Sequence, residues 1–439
     1  MTHFEGKRTK KLACQRHGGK EIEMKFTRPW IVAGLLLAGP TQAQLLPSPG
    51  GALNSVGGVV PDVLDRVEGR LDQTGLDQLS PARLAERLTA ARNARIGELL
   101  RRHGASIELD DRREPARRGV ILLTGANAAS IDALRSAGYG VESEAVEGID
   151  LAVTRLTLPS GHSLAQALKQ VRSIAPEAEA SADNLYFPSG PDGATSSAAT
   201  LAQGAPGRRP VAGLIDGGVA RHASLTGPVE QRGFAKGAPR ASAHGTAVAS
   251  LISGTGVVRG AAPGTPLLVA DIYGDDPAGG GAFAIARALG WMAARQVGVV
   301  TVSLVGPDNP LLAGAIRLAR DKGVMVVAAV GNDGPAAPPA YPASYKEVIA
   351  VTGIDGRGRV LPEAGRARHV DFAAPGADMN AARLGGGKAR VRGTSFAAPL
   401  VAGRLFVAGS LAALQAEARP AVSSRAGKGV ICGNCRNID

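Results

Sequence analysis

Aromatic residues are scarce: two Trp, five Tyr and eight Phe in 439 residues. That leaves little to stack against nucleic-acid bases. No apolar run reaches the ~18 to 20 residues of a membrane span, so a multispan protein is excluded. Glycine is abundant, at 59 residues, but without a one-in-three period, which excludes a collagen-like chain. Cysteine is nearly missing, with three. What remains is a 44% hydrophobic chain, enough for sizeable cores in two or three globular domains.

The formal charge of +12 points to a polyanion only if it is concentrated. Residues 1–28 carry eight Lys/Arg against three Glu, and residues 211–415 carry twenty against thirteen acids. The basic residues are mostly Arg, scattered rather than striped along a helix, and so no nucleic-acid partner is expected.

Met24 to Arg28, the apolar Trp30 to Gly39 and then Thr41-Gln42-Ala43 read as the basic, hydrophobic and cleavage regions of a signal peptide. Residues 1–43 are therefore expected to be a leader, with Met24 as an alternative start and cleavage near Ala43. The expected destination is the periplasm, cell surface or medium, with no transmembrane helix in the mature form. Removal of the leader discards Cys14 and leaves Cys432 and Cys435. In an exported chain this pair favours a disulfide that staples the tail over a half-complete zinc site or a redox motif.

Residues 44–118 begin Pro/Gly-rich and then turn helical. Ser80 is an N-cap with Pro81 at N1, Leu84, Leu88, Ala91, Ile96 and Leu99 follow one face, and Gly104 is a stop. This region reads as a prelude without chemistry. Residues 119–188 show the order βαββαβ: strand Val120–Leu123, helix Ala128–Ala137, strands Val141–Val146 and Asp150–Leu158, helix Leu164–Ile174, strand Asn184–Phe187. That order predicts a ferredoxin-like α+β unit. A small-residue linker is expected over 189–210.

From Val211 to about 415 apolar strands alternate with helices. The strands are Val211–Ile215, Leu267–Ile272, Val297–Leu304, Val324–Val330 and Val348–Thr352, and the helices lie near 245–253, 282–295, 311–322 and 395–410. The pattern predicts an α/β, three-layer fold around a parallel sheet, with its site at the carboxyl ends of the strands. Residues 416–439 form a tail.

Four polar residues fall at those ends: Asp216 after the first strand, His244 before Gly245-Thr246, Asn332 in Val-Gly-Asn-Asp-Gly, and Ser395 in Gly-Thr-Ser-Phe-Ala-Ala-Pro. Taken singly, Asp216 and Ser395 read as helix caps and Asn332 as a turn. Taken together, in the order Asp, His, Ser, they resemble the subtilisin-like serine peptidases, the subtilases. The resemblance extends over residues 211 to about 408 and includes His-Gly-Thr-Ala-Val-Ala-Ser, Gly260 to Gly264, Tyr341-Pro342-Ala343 and Asp371 to Gly376.

The resemblance implies a serine endopeptidase acting on polypeptides through an acyl-enzyme. His244 would be the general base for Ser395, and Asp216 would orient the imidazole. Asn332 and the Ser395 N–H would hold the oxyanion, with Thr394 assisting. Ser303, Leu304, Val305 and Gly306 would form one edge of the substrate cleft and Gly279, Gly280 and Gly281 the other. Asp333 would stand at the rim of the pocket for the residue before the scissile bond, and Ala340 near its floor. Val305 facing inward would narrow that pocket toward Ala, Leu and Met, with Asp333 adding a minor basic preference. Neither a cofactor nor a metal is expected, because the acids are dispersed.

The chain departs from the family pattern at Gly217 after the Asp, Ala223 after His222, Ser250 in the His motif, and Val305. None of these removes a reacting group. Residues 119–188 resemble the subtilase pro-domain, implying an intramolecular chaperone and inhibitor and a self-processing zymogen cut between about Leu185 and Pro210. A permanently attached accessory domain is the alternative. The competing functions are a noncatalytic exported binding protein on the same scaffold and, more weakly, polyanion binding.

Overall fold

Seven strands carry the larger part of the molecule: β7 (Ala212–Asp216), β8 (Val229–Gly233), β9 (Leu267–Asp271), β10 (Val299–Val302), β12 (Met325–Ala329), β13 (Val348–Ile354) and β14 (Phe372–Pro375). They form one sheet in the order β14-β13-β12-β10-β7-β9-β8, every pairing parallel. The computed structural model describes residues 76–189 and 210–438. The expected leader and signal, the Pro/Gly-rich stretch and residues 190–209 of the linker lie outside the described residues.

Alternation of side chains along a strand sends neighbours to opposite faces, and here both faces are apolar. Val300, Val302, Val326 and Ala328 join one core with α5 (Ala282–Ala294) and α6 (Pro310–Asp321). Val299, Val327 and Ala329 join the other with α4 (Ala243–Ser253) and α7 (Ala398–Ala408). Burying each of these valines contributes ~1.5 to 3 kcal/mol, which is why the strands read as unbroken apolar runs. Asn309 starts α6 by accepting the Leu312 N–H, with Pro310 in the first turn.

The smaller sheet contains β1 (Ile107–Leu109), β2 (Pro115–Thr124), β3 (Gly140–Val146), β4 (Leu151–Thr157) and β5 (Glu179–Asn184). Its pairings are antiparallel and run β5-β2-β4-β3, with β1 on the first half of β2. Helices α2 (Ala128–Ser136) and α3 (Leu164–Ile174) cover one face, sharing a core with Ile121, Leu123 and Leu156. The alternate residues Leu122, Val146 and Val153 belong to the core of α5 and α6. The approach is close at Gly148: a β-carbon there would lie 2.2 Å from the Gly290 carbonyl oxygen.

Several boundaries differ from those read in the sequence. Val297–Leu304 is two strands, β10 and the short β11 (Leu304–Val305). The expected last strand of the small unit, Asn184–Phe187, is divided: β5 ends at Asn184, and β6 (Phe187–Pro188) pairs antiparallel with β11 in the larger part. Ser395 does not open the last helix. It sits in a 3-10 turn, Thr394–Phe396, ahead of α7, and Gly409 in a left-handed conformation separates α7 from α8 (Leu411–Glu417). The helix starting at Ser80 is α1 (Pro81–His103). Antiparallel β15 (Met379–Ala382) and β16 (Lys388–Val391) went unread. Cys432 and Cys435 are joined in a disulfide.

Candidate active site

Asp216 ends β7, and the neighbouring strand ends in register with it at Asp271. His244 lies in the first turn of α4, whose N-cap is Ser242. The two are 28 residues apart in the chain, yet His244 Nδ1 lies 2.9 Å from each Asp216 carboxylate oxygen, with both side chains buried. This contact requires the loops to come close. A β-carbon on Gly245 would lie 2.2 Å from the Gly217 carbonyl oxygen, and one on Gly217 would lie 2.4 Å from Ser242 Oγ. The departure at position 217 thus has a steric cause: Ser242 fills that space. The departure at Ser250 has a polar one, since its hydroxyl accepts the Ala382 N–H.

Burial pushes the Asp271 carboxyl above its ordinary range, offset in part by N–H donors from Arg240, Tyr273 and Gly274. That side chain ties down the loop leading to Gly279–Gly281.

Ser395 is presented by Gly393, whose φ of 135° is open to glycine and rarely to other residues. The His244 ring lies 5.6 Å, centroid to centroid, from Phe396, so imidazole and serine turn meet. The Thr394 N–H donates to Asn332 Oδ1 at 3.0 Å, and Thr394 Oγ1 accepts the Gly331 N–H. Thr394 therefore fixes which way the Asn332 amide points.

Ser189, read from the sequence only as the start of a linker, is at the centre of the site. Its carbonyl oxygen accepts from the Asn332 side-chain amide and, at 3.4 Å, from the Ser395 N–H. Its N–H donates to the Ser303 carbonyl at 3.1 Å. Ser395 Oγ lies 2.7 Å from Ser189 Oγ and 3.0 Å from the Ser303 carbonyl oxygen, its single proton serving one of these acceptors at a time. Upstream, Phe187 and Pro188 pair with Val305 and Leu304, while the Tyr186 N–H donates to Gly280 O and Leu185 bridges to Gly281. The segment 185–189 is thus an extended strand held between both expected edges of the cleft.

Tyr186 is fully buried, and its hydroxyl donates to the Pro307 carbonyl at 2.7 Å. Tyr273, which the sequence reading passed over, donates from its hydroxyl to Tyr186 O. Below Ser189 is a cavity of about 100 Å³ lined by Val305, Gly331, Asp333 and Ala340. Val305 faces into it: a β-carbon on Gly331 would lie 3.1 Å from Val305 Cγ1. Asp333 is ion-paired with Arg92 and Arg95 of α1, so that helix is not the inert prelude expected. Among the described residues no cluster of His, Cys, Asp or Glu could hold a metal ion.

A carboxylate on one imidazole nitrogen, a buried serine in the turn whose Phe396 lies near that ring, and two donors converging on one carbonyl oxygen make a set suited to acyl transfer. The model of the subtilase family matches residues 207–432. The chain belongs to the subtilase family. It is 32% identical over 171 residues to the major intracellular serine protease of Bacillus subtilis, a match covering 37% of this chain and 53% of that protein. Identity to subtilisin BL of Lederbergia lenta is also 32%, over 201 residues, covering 43% of this chain and 72% of the relative. The chain thus spans about half the length of the first relative.

Among solved structures, fervidolysin from Fervidobacterium pennivorans, described as a keratinolytic enzyme related to subtilisin, superposes with a TM-score of 0.58 at 19% identity. That match covers 74% of this chain and 61% of that one, and confirms a subtilisin-like fold. Among the described residues no single helix is long and apolar enough to cross a membrane.

Proposed function

We propose that this chain is an exported serine endopeptidase that hydrolyses polypeptides through Asp216, His244 and Ser395, and that it is made as a zymogen cutting itself after Ser189. The observation that carries this reading is the Ser189 carbonyl oxygen between the Asn332 amide and the Ser395 N–H, on a strand paired to both cleft edges. A peptide carbonyl so held is polarised, and its carbon is exposed to the adjacent serine.

In the reaction Ser395 Oγ turns from Ser189 Oγ, gives its proton to His244 Nε2 and bonds to the Ser189 carbonyl carbon. Asp216 holds Nδ1–H and stabilises the imidazolium. Negative charge moves onto the carbonyl oxygen, where the two donors strengthen. The C–N bond to Gly190 breaks, and His244 protonates the departing amine. Water, activated by His244, then cleaves the Ser395 ester and regenerates the hydroxyl. Other polypeptides follow the same course once the cleft is vacated.

Residues 107–189 would be the pro-segment. What supports this is their docking on the starts of two helices. Asp183 accepts the Phe283 N–H in the first turn of α5, and the Asn309 amide at the start of α6 donates to Ala182 O and Asn184 Oδ1. Prepaired elements of this kind give a template to a parallel sheet whose strands are distant in sequence and slow to assemble. Export rests on the pattern over residues 24–43, and the first relative, named as intracellular, makes localisation a question for fractionation. A fluorophosphonate probe that labels Ser395 in the wild type, with the Ser395→Ala chain remaining uncut and inactive, tests the activity. Peptide hydrolysis by Ser395→Ala would overturn it.

A further inference from the structure

Helix α1 carries Leu88, Arg92, Arg95 and Leu99 at spacings of four, three and four residues, which places them in one stripe along a helix. Two leucines thus bracket two arginines, and each makes a contact beside the cleft. Leu88 is buried against Gly334, where a β-carbon would lie 2.5 Å from Leu88 Cδ1. Arg92 bonds both carboxylate oxygens of Glu114, at 2.7 and 3.0 Å, and its Nε lies 3.5 Å from Asp333 Oδ2. Arg95 pairs with Asp333 Oδ1. Leu99 packs with Ile107, Leu185 and Ala278, and so bridges the cleft strand and the far edge of the cleft.

Asp333 directly follows Asn332, and the cavity under Ser189 has α1 as its outer wall. The helix therefore covers the pocket that a substrate side chain must enter, using surface that does not belong to the small antiparallel sheet.

We propose that α1 is a second inhibitory element, a clasp whose arginines close on Asp333, cover the side-chain pocket before the scissile bond and hold the cleaved segment in place. The proposal rests on the zymogen reading above. Cutting after Ser189 leaves α1 and the cleft strand on the same fragment, so the clasp survives the cut. The enzyme then becomes active only when the helix lifts. The Arg–Asp333 pairs are partly exposed, with 14 to 25% of each side chain accessible. Charges so placed respond to salt, so the clasp loosens as ionic strength rises.

The test uses the full chain, purified and allowed to cut itself, in wild-type form and as the double variant Arg92→Gln, Arg95→Gln. Neither position belongs to the catalytic set. Two quantities are followed after dilution: release of the upstream fragment and the rise of peptide hydrolysis, each at about 20 and about 500 mM salt. Release from the variant is expected about tenfold or more sooner at low salt. High salt should speed release from the wild type and narrow the gap between the two proteins, while the other ion pairs that hold the upstream segment, such as Arg117–Asp276 and Arg232–Glu147, respond alike in both. The single variant Arg95→Gln, read the same way, decides the matter if the double variant folds poorly. Equal release rates in both proteins, with the same response to salt, would overturn the clasp alone. A chain that stays as one uncut band and takes no fluorophosphonate label would overturn the zymogen reading and the clasp with it.

Discussion

The side-chain amide of Asn332 donates to the carbonyl oxygen of Ser189, a residue 143 positions earlier in the chain. A bond over that separation puts the end of the small antiparallel unit inside the cleft of the parallel-sheet unit, with one peptide carbonyl at the place where charge would develop. The first consequences concern the reacting groups.

Replacing Ser395 or His244 with Ala is expected to lower kcat by roughly a millionfold, since the proposed triad would work as a unit. Asn332→Ala should lose about two to three orders of magnitude, the usual worth of one oxyanion donor. Single-turnover and steady-state assays on a peptide substrate measure both. Similar losses for Asn332→Ala and Ser395→Ala would mean that Asn332 does more than donate one hydrogen bond.

Mature protein should begin at Gly190. Tyr186→Ala should slow the proposed cut about tenfold to a hundredfold, because it removes a buried ring and the hydroxyl bond to Pro307 O, which hold the strand three residues before the Ser189 carbonyl. N-terminal sequencing and a time course of band conversion check the two statements. A mature N-terminus beyond Pro210 would show that the strand now in the cleft is not the one cut.

Val305 faces Gly331 across the pocket, so cleavage of peptide libraries should favour Ala, Leu and Met before the scissile bond. Val305→Gly should raise the rate on Phe relative to Leu by about tenfold to a hundredfold, the value of one or two methyl groups in an apolar slot. An unchanged Phe-to-Leu ratio would place the selective contact elsewhere.

Docking of the upstream segment should tighten as the solution is acidified. Burial pushes the Asp183 carboxyl above its ordinary value of 3.8, with the Arg117 guanidinium offsetting part of the effect. A carboxyl raised in the docked state binds more protons docked than free. Its contribution therefore favours docking at low pH and is lost as pH rises from 3.8 through the raised value. Retention of the cleaved segment, measured from about pH 4 to 7, should fall with rising pH, and Asp183→Asn should flatten the curve. A wild-type curve rising toward neutral pH would contradict the assignment.

The residues that bear the proposed chemistry were legible from local sequence alone. Asp216, His244, Asn332 and Ser395 each stand in a short motif just after an apolar strand or near the start of a helix, and a parallel sheet gathers such ends by its topology. The βαββαβ order was likewise local, because the periodicity of a strand or helix is set by its own side chains. The tertiary structure alone decided where Leu185 to Ser189 and α1 belong. A stretch such as Leu-Tyr-Phe-Pro-Ser has the composition of a strand running into a linker, and nothing in it says which sheet supplies its partners. Its N–H and C=O groups find them at Ser303, Gly280 and Asn332, more than ninety residues away. Leu88 and Leu99 read as part of one apolar helix face with Leu84, Ala91 and Ile96, and nothing local says that Arg92 and Arg95 meet Asp333 or that Leu88 meets Gly334. Motifs encode chemistry within a few residues, whereas the choice of hydrogen-bond and ion-pair partners depends on which surfaces the cores leave adjacent.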